Sequence, residues 1–146
     1  MLRGMHQFLG LVVGILLSGL LGCGKSKIEE CNALVGALKP GIDDIHSRTS
    51  AIASKPEALG DFKGLAEAAD KVAEEGAKVE LRSAELQKLS SDYQRVMKDF
   101  AKTAREVADA KSAEAGKMNS AADTLEKIGK EEEQLVQDIN KFCQAP

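Results

Sequence analysis

The sequence predicts an all-α protein: an up-and-down antiparallel four-helix bundle with a kinked first helix, following a cleaved signal peptide. Three observations carry that expectation. Apolar residues recur at alternating spacings of three and four through most of the chain beyond Cys23, which is the signature of one apolar stripe along a helix. Alternation with a period of two never persists for more than a few residues. Phe, Tyr and Trp make up only 3% of the chain, leaving few of the residues that strands favour.

The first 22 residues differ from the rest. Arg3 gives a short positive start, and Phe8 to Leu17 form an apolar run interrupted by Gly10 and Gly14. The run is shorter than the ~20 residues a membrane-spanning helix needs, and its layout fits a secretory signal peptide. Ser18, Gly19 and Gly22 supply small residues before Cys23. The junction Leu20-Leu21-Gly22-Cys23 resembles the lipobox of bacterial lipoproteins, with an aliphatic residue three before the cysteine and a small one just before it. Leu21 is a tolerated rather than a favoured middle residue. The resemblance implies cleavage before Cys23 and acylation of Cys23, and two or three acyl chains hold a protein stably on a bilayer. Gly24, where an inner-membrane lipoprotein of enteric bacteria carries Asp, implies sorting to the outer membrane, facing the periplasm. Residues 1–22 are thus expected to be the signal peptide, 23–27 a lipidated tether, and 28–143 the bundle.

The first stripe runs Ile28, Cys31, Val35, Leu38, Ile42, Ile45, Thr49, Ile52. Its phase passes through Pro40-Gly41 unbroken, which predicts a kink within one helix of residues 27–54 although an interior proline costs about 3 kcal/mol. A second stripe, Leu59, Phe62, Leu65, Ala69, Val72, Gly76, predicts a helix over 57–76 with Pro56 in its first turn. Ser54 could cap it or end the helix before. Gly76 to Arg82 reads as a connection whose Val79 and Leu81 tuck onto the end of the bundle. The third stripe, Leu86, Leu89, Tyr93, Val96, Phe100, Thr103, Val107, Ala110, predicts a helix over 83–111. The fourth, Met118, Ala121, Leu125, Ile128, Glu132, Leu135, Ile139, Phe142, predicts one over 114–143, with a turn near Ala110 to Gly116. Alanine is dense in Leu65 to Ala77 and Ala101 to Ala122, where small side chains let helices approach closely.

With Cys23 assigned to lipid by the resemblance, Cys31 and Cys143 remain. Export would place them in an oxidising compartment, where a disulfide forms if their Cα atoms come within about 7 Å. The start of the first helix meets the end of the last only when the helix count is even, which selects four over three. Two free buried cysteines are the alternative, since Cys packs as a small hydrophobe. From Cys23 to Ile28 is at most about 18 Å of extended chain, so the cysteine end would sit near the bilayer.

Charge and composition narrow the function classes. The 146 residues suit a single domain, 43% apolar and 29% charged, with a net charge of −3. Loss of the leader removes only Arg3 from that balance, giving −4. Neither a basic field nor stacking aromatics exist for nucleic acid. Beyond the leader His46 is the sole histidine. Asp43-x-x-His46 is half of the carboxylate–histidine pattern of di-iron bundles, and no second His completes it. Glu29-Glu30, Asp43-Asp44, Glu74-Glu75 and Glu131-Glu132-Glu133 read as solvated helix faces. Glu132 is singled out because its stripe position points inward. It is either a polar residue satisfied in the middle of the bundle, an acid with a shifted pKa, or a side chain leaning out while Leu135 and Val136 fill the core. No catalytic, metal or cofactor site is predicted.

Small helical lipoproteins of Gram-negative lineages, whose function is not established, are similar to this chain around Cys31-Asn32-Ala33-Leu34 and Asn140-Lys141-Phe142-Cys143. That resemblance implies architecture alone. The expected function is a non-enzymatic, membrane-tethered binding or structural module with an envelope-protein partner. The alternative is a sensor or carrier holding a small apolar ligand between its helices, in a pocket lined by Leu, Val and Met97. An exposed apolar strip at Leu34, Met97 or Val136 would favour partner docking.

Overall fold

The computed structural model describes the backbone of residues 26–54, 61–110 and 115–145. The leader, Cys23 and the two connections at 55–60 and 111–114 lie outside the described residues. Four helices make up the fold: α1 (Lys27–Ser54), α2 (Asp61–Ala77), α3 (Ala84–Asp109) and α4 (Ala115–Gln144). No strand occurs among the described residues. Each helix packs on the next in sequence, so the protein is an all-α four-helix bundle.

Side chains define the helix ends. Ser26 and Glu29 form a capping box at α1: Ser26 Oγ accepts the Glu29 N–H at 3.3 Å, and the Glu29 carboxylate accepts the Ser26 N–H at 2.8 Å. Ser54 is the last residue of α1, its hydroxyl donating to the Ala51 carbonyl at 2.8 Å. At α3, Ser83 is the N-cap and accepts the Leu86 N–H. Within α1 the helix continues through Pro40, and Leu38 and Ile42 stay on the inner side. Next to it Gly41 is required by packing. A Cβ there would run into Val72 Cγ2, so the missing side chain lets α1 and α2 close up.

The core is a continuous cluster that includes Leu34, Leu38, Val72, Leu86, Tyr93, Val96, Met97 and Leu135. Ala66, Ala69, Ala73, Ala101 and Ala104 are fully buried between these larger residues, where α2 and α3 meet. Val79 and Leu81 in the α2–α3 connection pack half-buried on the end of the core. Burial in α1 is uneven. Glu30, Cys31, Leu34 and Leu38 are buried, whereas no described residue after Leu38 in that helix is more than half-buried.

Two contacts close the end of the bundle where α1 begins and α4 ends. Cys31 and Cys143 form a disulfide with their Cα atoms 5.9 Å apart, across a sequence separation of 112. Beside it Lys27 Nζ donates to the Ala145 carbonyl at 2.6 Å and sits 4.7 Å from the centre of the Phe142 ring. The second contact departs from the sequence expectation. Glu30 is not part of a solvated face but only 3% exposed. Its two carboxylate oxygens accept the backbone N–H groups of Arg82 and Ser83, each at 3.1 Å. Arg82 and Ser83 stand just before and at the N-cap of α3, where backbone N–H groups have no acceptor within the helix, and a carboxylate there is also favoured by the helix dipole.

These two contacts predict distinct losses in urea unfolding. Replacing both Cys31 and Cys143 with Ala should cost roughly 4–5 kcal/mol, the chain-entropy value for so long a loop; an unchanged midpoint would contradict a formed bond. Glu30→Ala should cost about 1–3 kcal/mol, because two partly buried amides lose their acceptor together. Glu74→Ala, on an exposed position, should stay within about 0.5 kcal/mol.

Candidate functional site

The disulfide shows which faces α1 and α4 turn toward each other. Along α1 the line continued from Cys31 at helical spacing is Val35, Ile42, His46 and Thr49. Along α4 the line leading back from Cys143 is Val136, Glu132, Gly129 and Leu125. All of these are half-buried except His46, which is exposed. The neighbouring line of α4, Ile128, Leu135 and Ile139, is buried. A Cβ built on Gly129 would meet nothing within 4 Å. Whereas helices adjacent in sequence pack closely on one another, α1 and α4 approach closely in only a few places, the cysteine pair among them. The two helices are therefore joined at one end and leave a seam between them above it.

A polar group lies in this seam. Eleven residues on from Cys31 is Ile42, and eleven back from Cys143 is Glu132, so the two stand level across the seam. Beneath them Tyr93 of α3, 1% exposed, donates its hydroxyl to Glu132 Oε1 at 3.0 Å. Burial pushes the Tyr93 phenol far above its ordinary value, and the adjacent Glu132 charge adds to this. Tyr93 is thus a fixed donor. Burial also raises the Glu132 carboxyl; the Tyr93 hydrogen bond and the charge of His46 oppose the rise, while Glu133 adds to it. A desolvated acid with one phenolic donor can attract a cation or a hydrogen-bond donor.

The remaining sequence candidates are spread apart. Cys23 lies outside the described residues. Asp43 and Asp44 are exposed and pair with Lys39 and Arg48, both at 3.0 Å. Glu75 pairs with Lys78 at 2.7 Å, and Glu131 pairs with Arg95 of α3. Hydrogen bonding to its lysine holds the Glu75 carboxyl below its usual value. Among the described residues no group of three or more His, Cys, Asp and Glu is placed to hold a metal ion.

Two of the three positions whose exposure would favour partner docking are buried. Leu34 is fully buried and Met97 is 5% exposed, both within the core cluster; neither forms a docking strip. Met97 does not line either of two open surface depressions of about 330 Å³. One lies among Gly76, Leu81, Gln87 and Gln94, and the other lies along Pro40, Gly41 and Val72 between α1 and α2. Val136 is half-buried at the seam. Sequence reasoning missed the pairing of Tyr93 with Glu132, although a signal existed. Tyr93 lies 16 residues before the end of α3 and Glu132 lies 17 residues after the start of α4, so antiparallel packing of the two helices sets these inward polar residues level with each other.

Compared with protein-family models, with curated proteins and with solved structures, the chain matches none.

Tyr93→Phe should destabilise the protein by about 1–3 kcal/mol, because it leaves a half-buried carboxylate without its donor. Folding raises the Glu132 pKa, so the folded state holds that proton more tightly than the unfolded state. Its favourable contribution is complete below the unfolded value and is lost as pH rises through the folded one. The stability difference between wild type and Glu132→Gln should therefore move in favour of wild type as pH falls from 7 toward 4. Chemical unfolding at several pH values reads this directly, and a pH-independent difference would contradict it.

Proposed function

We propose that the protein is a bacterial envelope lipoprotein, anchored by acyl chains on Cys23, whose bundle is a non-enzymatic binding or structural module. The observation that carries this is the Leu20-Leu21-Gly22-Cys23 junction, with its short positive start and apolar run ahead of it. The geometry is compatible with a tether. Ser26 caps α1 at the disulfide end, and three residues of extended chain reach only about 10 Å. Anchoring at Cys23 would hold the disulfide end next to the bilayer. Glu132 and Ile42 would then stand about 16 Å further out, eleven residues along their helices. No helix among the described residues is long and apolar enough to cross a membrane. Attachment in this proposal comes from the lipid. The outer membrane is the proposed location, on the strength of Gly24, with the bundle in the periplasm.

Growth with an alkyne-tagged fatty acid tests the anchor. The wild-type chain should take up the label, and Cys23→Ala should lose it and migrate as the uncleaved precursor. Label retained by Cys23→Ala, or none in the wild type, would overturn the proposal.

A further inference from the structure

We propose that the closed end of the bundle, where α1 begins and α4 ends, stands on the lipid surface, with the Ile28 side chain inserted at the headgroup–acyl boundary and Lys27 and Lys141 at headgroup level. This rests on the reading of the chain as a lipoprotein anchored at Cys23, and it names the surface the bundle meets and the residue that meets it. Ile28 is the first ground. It is 46% exposed, the one exposed large hydrophobic residue among the described residues. A single exposed isoleucine is ordinary on a protein surface; its place is what gives it meaning. It opens the first apolar stripe but lies in the first turn of α1, ahead of buried Glu30 and Cys31. Side chains of a helix lean toward its N-terminus, so Ile28 leans toward the tether. Ser26, the cap of α1, is three residues from Cys23, a reach of about 10 Å. An acylated Cys23 therefore brings Ile28 to the bilayer surface.

The rest of this end suits the same surface. Phe142 of α4 and Val79 and Leu81 of the α2–α3 connection are apolar residues left half-buried there. The Glu30 bonds to Arg82 and Ser83 place that connection at this end. Lys27 reaches over Phe142 to the Ala145 carbonyl, and Lys141 is exposed beside them. An apolar side chain flanked by lysines is the pattern of a segment lying in a membrane interface, where the cations reach the phosphates. Glu29, Glu80 and Glu85 are also exposed at this end, so charge alone does not draw it to an anionic surface and the apolar insertion carries the contact. The flanks offer no such face. They carry exposed ion pairs, Lys39–Asp43 on α1, Arg95–Asp99 on α3 and Glu126–Lys130 on α4, which a bundle lying on its side would press against lipid at the cost of their water. A contact this small does not hold a free protein on a membrane. Beside an anchored cysteine it forms within one molecule, where a short linker keeps the effective concentration high, and its effect is to hold the bundle upright.

The chain contains no Trp, so a single introduced Trp reports its own depth. The chain is purified from the membranes of the cells that make it, and its mass shows whether it is acylated. It is then placed in vesicles of phosphatidylethanolamine and phosphatidylglycerol whose acyl chains carry bromine near the headgroup. Ile28→Trp should emit further to the blue and be quenched by the bromine. Lys98→Trp, at an exposed position of α3 about 21 Å along that helix from Ala84, should do neither. Because Trp itself favours membrane interfaces, a second reporter leaves Ile28 in place. Ala145→Trp, at an exposed position of the same end, should be quenched, and adding Ile28→Ser should lower that quenching at least about twofold, since the apolar area is removed without a change of charge. Ser is at home in a first helical turn, and circular dichroism checks that the fold holds. In an acylated chain, failure of bromine to quench either end reporter would leave this face to a protein partner or a second copy. That result, or quenching at Lys98 as strong as at Ile28, or quenching at Ala145 indifferent to Ile28→Ser, would overturn the inference while the lipoprotein reading stands. A chain without acyl groups would sink both.

Discussion

The Cys31–Cys143 bond is the constraint on which the arrangement of the outer helices depends. α2 and α3 are held by the dense alanine packing between them, and α1 and α4 each dock on one of that pair. Between α1 and α4 themselves, few close approaches exist other than at the bond. A covalent link at one end of two otherwise weakly associated helices fixes their register and leaves their other ends to be placed by α2 and α3. The link stabilises through the unfolded chain, so it needs no matching apolar contact along the pair. That is why the fold can hold together with its fourth helix–helix interface incomplete.

Two acids, Glu30 buried and Glu132 half-buried, share this framework and do opposite things. Glu30, at the closed end, has both oxygens occupied by backbone donors of the α2–α3 connection. Its hydrogen-bonding capacity is directed inward, into holding α1, the connection and α3 in one place. Glu132, in the open stretch, is satisfied at one oxygen by a side chain. Burial raises its pKa, the mark of a carboxylate whose surroundings do not fully replace water. The first is a structural cap supplied across helices. The second retains binding capacity facing a surface. The same residue type in two positions is distinguished by how many donors the fold aims at it.

Much of the architecture was legible from spacing alone. The three–four stripes predict four helices, and the phase carried across Pro40 predicts that α1 is one helix rather than two. Ser83 and Leu86 mark the start of α3 in both sequence and structure. Other features were not legible, for physical reasons. Glu30 looks like any exposed member of an acidic pair, because its partners are amides more than fifty residues away and the periodicity of α1 contains no information about them. Leu34 lies beside the stripe that was followed, yet it is fully buried, because α1 packs into an angle and buries a face wider than one a/d seam. The incompleteness of the α1–α4 interface is invisible in the stripes: Ile42, Leu125 and Val136 are apolar whether or not a neighbour covers them.

Pro40 and the burial gradient in α1 bear on why the seam stays open. Below the proline, Glu30, Cys31, Leu34 and Leu38 are all buried; above it, Ile42, Ile45 and Ile52 reach only partial burial. Proline removes one backbone hydrogen bond and displaces the turn before it, so the upper half of α1 is free to take a direction set by other contacts. Those contacts favour α2. Gly41 allows Val72 to press against the α1 backbone immediately above the proline, drawing that part of the helix toward α2. On the side of α4 the apolar line Leu125 and Val136 stays half-buried, and the position at Gly129 is open. The Pro-Gly pair thus does not end the helix: α1 continues through Pro40, and the bare Cα at Gly41 lets it lie close against Val72 of α2.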